Sequence, residues 1–400
     1  MKKIKLRNGL SIILEKTNSS SITLGACVKT GSNNESNKIR GISHFIEHML
    51  FEGTKTRTER QIVKEIESKG GEFNAFTDNE ITFFYIKILG KHFDTALKIM
   101  SDIILNPVFD KEIIEKERKV ILEELNLWSD DPKAEQWILF QKALYKKHPA
   151  KYPVIGFKNT LKKISRKDIV KYYNNYYIPN NMAIVLAGNI NPGAEKKLIK
   201  AFSDFKPKKL LMKSFPEEKA QNKIIKTRTK KQISHSYFVL GFKTVDRNHK
   251  DSYALDILGI ILGSGQSSRL FDEIRVKRGL SYNLGSNHEC NKTFGYFACY
   301  VSADKKNIDL CRKLILQQLN LPGLTSREIQ DAKNMLEGLI TLKLEDTKDL
   351  AHYLGRWEYF SRAEDMRKYI KKVKKVTKQD ILRVAKKYFT KNYTEILISN

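Results

Sequence analysis

The sequence predicts an α+β protein of two homologous domains, each a β-sheet packed with helices. Three observations carry this: a chain too long for one core, strand-like segments intermixed with helical ones, and an internal repeat. At 400 residues and 41% hydrophobic content, the chain can bury two cores. The repeat is Leu161-Lys-Lys-Ile-Ser-Arg-Lys-Asp168-Ile-Val-Lys leading to Tyr176-Tyr177. It recurs as Val373-Lys-Lys-Val-Thr-Lys-Gln-Asp380-Ile-Leu-Arg leading to Tyr388-Phe389, at a constant offset of 212.

In chain order, Leu10 to Leu14 and Ile22 to Val28 are short apolar runs read as strands, the second ending at the turn Gly31-Ser-Asn-Asn. A helix follows through His44 and ends near Gly53, and Thr58 to Lys69 is helical up to the stop at Gly70-Gly71. Glu72 to Phe76 and the alternating, aromatic Glu80 to Leu89 are strands. Phe93 to Leu105 is a helix closed by Asn106-Pro107, and a long charged helix spans about Asp110 to Leu127. In each copy of the repeat, Ser165 or Thr377 stands three positions before an Asp, which signals helix capping. Those helices lead into apolar strands, Met182 to Ala187 and Thr394 to Ser399. The lysine-rich stretch 206–232, with Pro207 and Pro216, reads as an exposed linker, which sets the domains at 1–205 and 233–400.

The chemistry concentrates in Gly41-Ile-Ser-His44-Phe-Ile-Glu47-His48-Met-Leu-Phe51. On a helix His44 and His48 lie one turn apart on one face, with Glu47 at its edge. Two imidazoles so placed can share a metal ion, and a carboxylate beside them can act as a general base on water. His-x-x-Glu-His is the reverse of the commoner His-Glu-x-x-His order among zinc peptidases. On the long helix Glu117 and Glu124 are seven apart and share a face, whereas Glu123 points away. The pair supplies one candidate ligand and one carboxylate to orient a ligand, without deciding which is which. Applied to the motif helix, the offset of 212 sets Asp256, Gly259 and Ile260 opposite His44, Glu47 and His48. One domain is therefore expected to be catalytic and the other a degenerate partner.

Composition excludes several classes. Cys27, Cys290, Cys299 and Cys311 form no C-x-x-C pair, which argues against a disulfide framework or a cysteine zinc site and fits a reducing compartment. The start has basic residues without an apolar run, and no segment reaches about 18 apolar residues, so a soluble, cytoplasmic protein is expected. The formal charge of +28 comes mostly from Lys interspersed with Glu and Asp. Dispersed charge of that kind is a solvated face, and neither a nucleic-acid nor a membrane partner is expected.

These residues resemble the pitrilysin/insulinase family of zinc metallopeptidases (inverzincins), in particular its short members, the mitochondrial processing peptidase subunits and their bacterial relatives. The likeness covers nearly the whole chain. Its anchors are Gly41 to Thr54, Phe73-Asn-Ala-Phe-Thr77, Glu117-Arg-Lys-Val-Ile-Leu-Glu-Glu124, and Ser268-Arg-Leu-Phe-Asp-Glu-Ile-Arg275 continuing to Gly279-Leu-Ser-Tyr282. The resemblance implies one zinc ion per chain held by His44, His48 and Glu124, with Glu47 as general base. The family places its third ligand at the spacing that separates Glu124 from His48, which leaves Glu117 the supporting role. It further implies substrate contacts from Asn74, Ala75 and Phe76, and donation to the reacting carbonyl by Arg275 and Tyr282. The implied activity is zinc-dependent endopeptidase cleavage of extended or unfolded peptides. The alternative is a non-catalytic or structural subunit of a processing-peptidase-like complex. Because the family closes a clamshell chamber from four such domains, a two-domain chain implies a homodimer, or a heterodimer with a related subunit.

Overall fold

A computed structural model describes residues 1–210, 214–216 and 218–400. It resolves two compact units, each built on its own sheet. The first comprises Met1–Asn126, Tyr152–Ser214 and Leu342–Met366; the second comprises Leu127–Lys151, Phe215–Thr341 and Arg367–Asn400.

The first sheet is made of β1 (Lys2–Lys5), β2 (Ser11–Lys16), β3 (Ser21–Val28), β4 (Glu72–Thr77), β5 (Thr82–Leu89) and β6 (Met182–Gly188), in the order β1-β2-β6-β3-β5-β4. The second contains β7 (Ile225–Lys230), β8 (Ser236–Lys243), β9 (Asn283–Cys290), β10 (Gly295–Ala303) and β11 (Thr394–Ser399), in the order β7-β11-β8-β10-β9. The two orders superimpose strand for strand once β1 is set aside. Both sheets are mixed, with β2 parallel to β6 and β7 parallel to β11 while the remaining pairs are antiparallel. The repeat seen in two helices is thus a duplication of the whole topology.

The duplicated helices form as their capping residues dictate. Ser165 Oγ accepts from Asp168 N while the Asp168 carboxylate accepts from Ser165 N at 3.0 Å; Thr377 and Asp380 repeat the arrangement at 3.0 Å. The expected linker 206–232 falls partly on residues 211–213 and 217, which lie outside the described residues, and its later part is strand β7. Alternation of Ile225, Thr227 and Thr229 with Lys and Arg resembles a charged loop, but it suits an edge strand with one solvated face.

Breaks at 205 and 233 would leave each half covering its own sheet, and the packing is different. The helix Pro132–Leu144 lies in the second unit, where Phe140 and Leu144 pack with Val239, Ala298, Ile396 and Ile398. The helix Thr347–Phe360 lies in the first unit, where Leu350, Ala351 and Leu354 pack with Ile13, Cys27, Phe83 and Val185. These helices occupy equivalent places in the repeat, so the two copies have exchanged them.

In the second unit, Asp256, the counterpart of His44, is drawn into an ionic network. Arg247 Nη1 donates to it at 2.6 Å, Tyr369 Oη at 2.6 Å, and His288 Nδ1 lies at 2.7 Å. Burial works against ionisation of Asp256, but Arg247 and His288 outweigh it and hold the carboxyl well below the usual range. Its stabilisation is therefore present above the ordinary carboxylate pKa and lost as pH falls through the depressed folded value. Replacing Arg247 by Met leaves a buried carboxylate short of its main partner, and the expected loss is about 3–5 kcal/mol. Denaturant unfolding at neutral pH measures it, and the acid-unfolding midpoint is expected to move to higher pH.

Candidate metal centre

The motif helix spans Ile42–Met49. Ile42, Phe45, Ile46 and Met49 are buried at i, i+3, i+4 and i+7, which turns His44 and His48 to the opposite face. At its start Gly41 has φ +96°, and a Cβ there would stand 2.5 Å from the carbonyl oxygen of Ile155. Only glycine meets both demands. Past its end, Asp102 accepts from the hydroxyls of Thr54 and Thr56, each at 2.6 Å, and from Arg57 at 2.8 Å, fastening the following turn.

The long helix runs Lys111–Asp130 and is anchored by buried Ile114 and Ile121. Glu117 shares that buried stripe, and Glu124 stands two turns further on, half-buried. The two helices bring His44 Nε2 and His48 Nε2 each to 3.6 Å from Glu124 Oε2. The three candidate ligand atoms lie within 4.8 Å of one another, and among the described residues no other such cluster occurs. His48 Nδ1–H donates to Glu117 Oε2 at 3.2 Å, so the neutral form of the ring keeps its proton on Nδ1 and its lone pair on Nε2. Glu123, as the helical wheel requires, points elsewhere and approaches Asn126 at 3.4 Å.

The electrostatics are those of a cation site. Burial, aided by the charge of His48, pushes His44 down to about 4. Burial also opposes charge on His48, but hydrogen bonds with Glu117 and Glu124 outweigh it and raise that ring to about 9. The positive charge is therefore favoured on the His48 ring, between two carboxylates, while His44 stays a neutral donor. A tetrahedral ion about 2.0–2.1 Å from each donor spaces its donors at roughly 3.4 Å, close to the observed separations from Glu124. The donor set, two imidazoles and one carboxylate, fits zinc.

Glu47 lies beside this cluster. Burial raises its carboxyl above the usual range, and the nearby Thr77 works against that rise. Its Oε2 is buried with no hydrogen-bond partner among the described residues. Thr77 ends β4, the outermost strand of the first sheet, whose other edge pairs with no strand among the described residues. Asn74 is exposed on β4 and its Oδ1 accepts from Ala75 N at 2.7 Å; the Ala75 side chain packs toward the core that holds the motif helix. Phe76 departs from expectation. Strand alternation turns its ring to the other face, against His352 at 4.6 Å and Phe83 at 5.6 Å, so the side chain does not join the cluster. Arg275 and Tyr282 come together in the second unit, the guanidinium carbon 4.4 Å from the Tyr282 ring centre and 4.7 Å from that of Phe271. Tyr282 is 86% exposed.

Residues 11–158 match the family model described as Insulinase (Peptidase family M16), and residues 163–336 match that of the Peptidase M16 inactive domain. The chain is 31% identical over 404 residues to the uncharacterized zinc protease YmxG of Bacillus subtilis, covering 100% of this chain and 98% of that one. The chain belongs to peptidase family M16. An uncharacterized zinc protease of Rickettsia felis is 30% identical over 98% of this chain and 96% of its own length. Among solved structures, a protease from Helicobacter pylori shares the M16 fold with a TM-score of 0.94 at 24% identity, over 100% of this chain and 99% of that one. The M16 model for an inactive domain falls on the copy that carries Asp256, Gly259 and Ile260. Among the described residues, no helix is long and apolar enough to cross a membrane.

Two residues around this M16 site escaped the sequence reading: Thr77, near Glu47, and Glu35, whose buried carboxyl accepts from Gly41 N and Ser43 N at the start of the motif helix. Thr77 shares the face of Ala75 by strand parity, which was a usable signal; Glu35 lies outside the window of any local capping motif. The glycine constraint is directly testable. Gly41→Ala is expected to destabilise the fold by about 1–3 kcal/mol, read from denaturant unfolding, through strain at a left-handed residue pressed on a backbone oxygen.

Proposed function

We propose that this M16 chain is a zinc-dependent endopeptidase acting on extended or unfolded peptides. The convergence of His44 Nε2, His48 Nε2 and Glu124 Oε2, with Glu47 alongside, carries the reading. In it, His44, His48 and Glu124 hold zinc, and Glu117 keeps His48 in the right tautomer. A bound zinc ion supplies Lewis acidity, lowering the pKa of a coordinated water towards neutrality. Glu47 accepts a proton from the attacking water and delivers it to the departing amine nitrogen. A carboxyl raised by burial is suited to both transfers. The open edge of β4 pairs with the backbone of an extended substrate beside Asn74 and Ala75, which accommodates varied side chains. Arg275 and Tyr282 serve as donors to the developing oxyanion. A second, related chain completes the chamber, as a homodimer or a heterodimer.

Cleavage of a mixed peptide library, followed by mass spectrometry, tests the activity. Products are expected with the wild-type chain, absent after chelation and restored by zinc. Glu47→Gln is expected to keep its zinc and to lose about 10²- to 10⁴-fold in kcat. Undiminished cleavage by that variant sinks the mechanism. Glu117→Ala is expected to weaken zinc binding about 10- to 100-fold, measured by competition with a fluorescent chelator.

A further inference from the structure

Between the first turn of the chain and the motif helix lies a buried carboxylate that no metal ligand touches. Glu35 is 2% exposed. Its Oε2 accepts from Gly41 N at 2.9 Å and its Oε1 from Ser43 N at 2.8 Å. Those N–H groups are among the ones an α-helix leaves without internal partners at its start. Gly41, in the capping position, has no side chain with which to satisfy them. A residue six positions upstream does so instead with its carboxyl group, which burial pushes up to about 7 against the lowering effect of those same two bonds.

The socket around Glu35 is rigid. Ser43 Oγ lies 2.8 Å from Tyr172 Oη, and Arg40 Nη1 donates to the Ser32 carbonyl at 2.8 Å. The Arg40 guanidinium also sits 4.2 Å from the centre of the Tyr152 ring. The backbone of Ser43 leads directly into His44, so what fixes Ser43 N fixes the direction in which the His44 ring leaves the helix.

We propose that Glu35 is a positioning residue for the metal centre. It sets the rotation and start of the motif helix so that the two imidazoles face Glu124. The proposal rests on the zinc reading above and concerns how the site is held. A buried cap with only a general structural role would lower stability without singling out the metal. Glu358 supplies the comparison, a buried carboxylate of the same unit that accepts from Lys3 Nζ at 2.7 Å and Ser11 Oγ at 3.0 Å, away from the motif helix.

The experiment uses the full chain as wild type, Glu35→Gln and Glu358→Gln. Zinc affinity is measured by chelator competition, the visible spectrum after cobalt substitution reports ligand geometry, and amide hydrogen exchange follows the segment 41–49. Glu35→Gln is expected to bind zinc about 10- to 100-fold more weakly, with an altered cobalt spectrum and faster exchange of that segment in the metal-free chain. On a peptide substrate kcat is expected to fall while KM stays within about twofold. Glu358→Gln is expected to keep wild-type zinc affinity and spectrum. If Glu35→Gln does not fold, Glu35→Asp, which keeps the carboxyl group but shortens the reach, is expected to change the same readouts in the same direction. Unchanged zinc affinity in the Glu35 variant, or an equal loss in Glu358→Gln, overturns the proposal while leaving the peptidase reading standing. A wild-type chain that binds neither zinc nor cobalt overturns both.

Discussion

The motif helix is eight residues long, too short to hold itself in water, and everything at the metal centre depends on what holds it from outside. Its apolar face does most of this, since each large side chain fully buried contributes about 1.5–3 kcal/mol relative to exposure. Burial alone would tolerate some sliding and rotation. The hydrogen bonds to Glu35 and the contact of Gly41 with Ile155 remove that freedom at one end, and the Asp102 network removes it at the other. The imidazoles are then aimed by a rigid frame, which is what a metal site requires of its surroundings.

The two copies of the topology solve the same electrostatic problem differently. In the first, two imidazoles and the carboxylates of Glu117 and Glu124 converge, and the arrangement favours a positive charge in their midst. In the second, the place of His44 is taken by Asp256, and the positive charge is built in as the guanidinium of Arg247. Opposite His48 stands Ile260, which is buried. The second copy thus keeps the scaffold with a self-contained ion pair and needs no metal to balance its charges.

Much of this was legible because it is local. The helix at Phe93–Leu105 closes where Asn106-Pro107 predicts, the capping pairs Ser165/Asp168 and Thr377/Asp380 form as their spacing requires, and Glu117 and Glu124 share a face because they are seven apart. What escaped depends on tertiary context. β1 and β7 are lysine-rich strands whose inward residues are few, so their alternation is drowned by charge. The choice between Glu117 and Glu124 turns on which turn of the long helix reaches the histidines, and periodicity is blind to that. Glu35 satisfies a helix start from beyond the range of sequence capping rules. For Phe76, strand parity alone sends the ring to the face opposite Ala75 and Thr77.

The exchange of helices makes the first unit depend on a segment that the chain reaches only late. One face of the first sheet buries the motif helix and its neighbours; the other presents Ile13, Cys27, Phe83, Ala183 and Val185. That second face is covered by Leu350, Ala351 and Leu354 from the helix Thr347–Phe360, which the chain supplies only after passing through most of the second repeat. β4 and β5 belong to this sheet, and β4 forms its edge beside the motif helix. A first repeat without the later helix would expose a continuous apolar surface beneath its own site. The order of the candidate metal centre therefore depends on residues some three hundred positions beyond the histidines, supplied by a helix that the chain reaches late but that belongs to the core of the first unit.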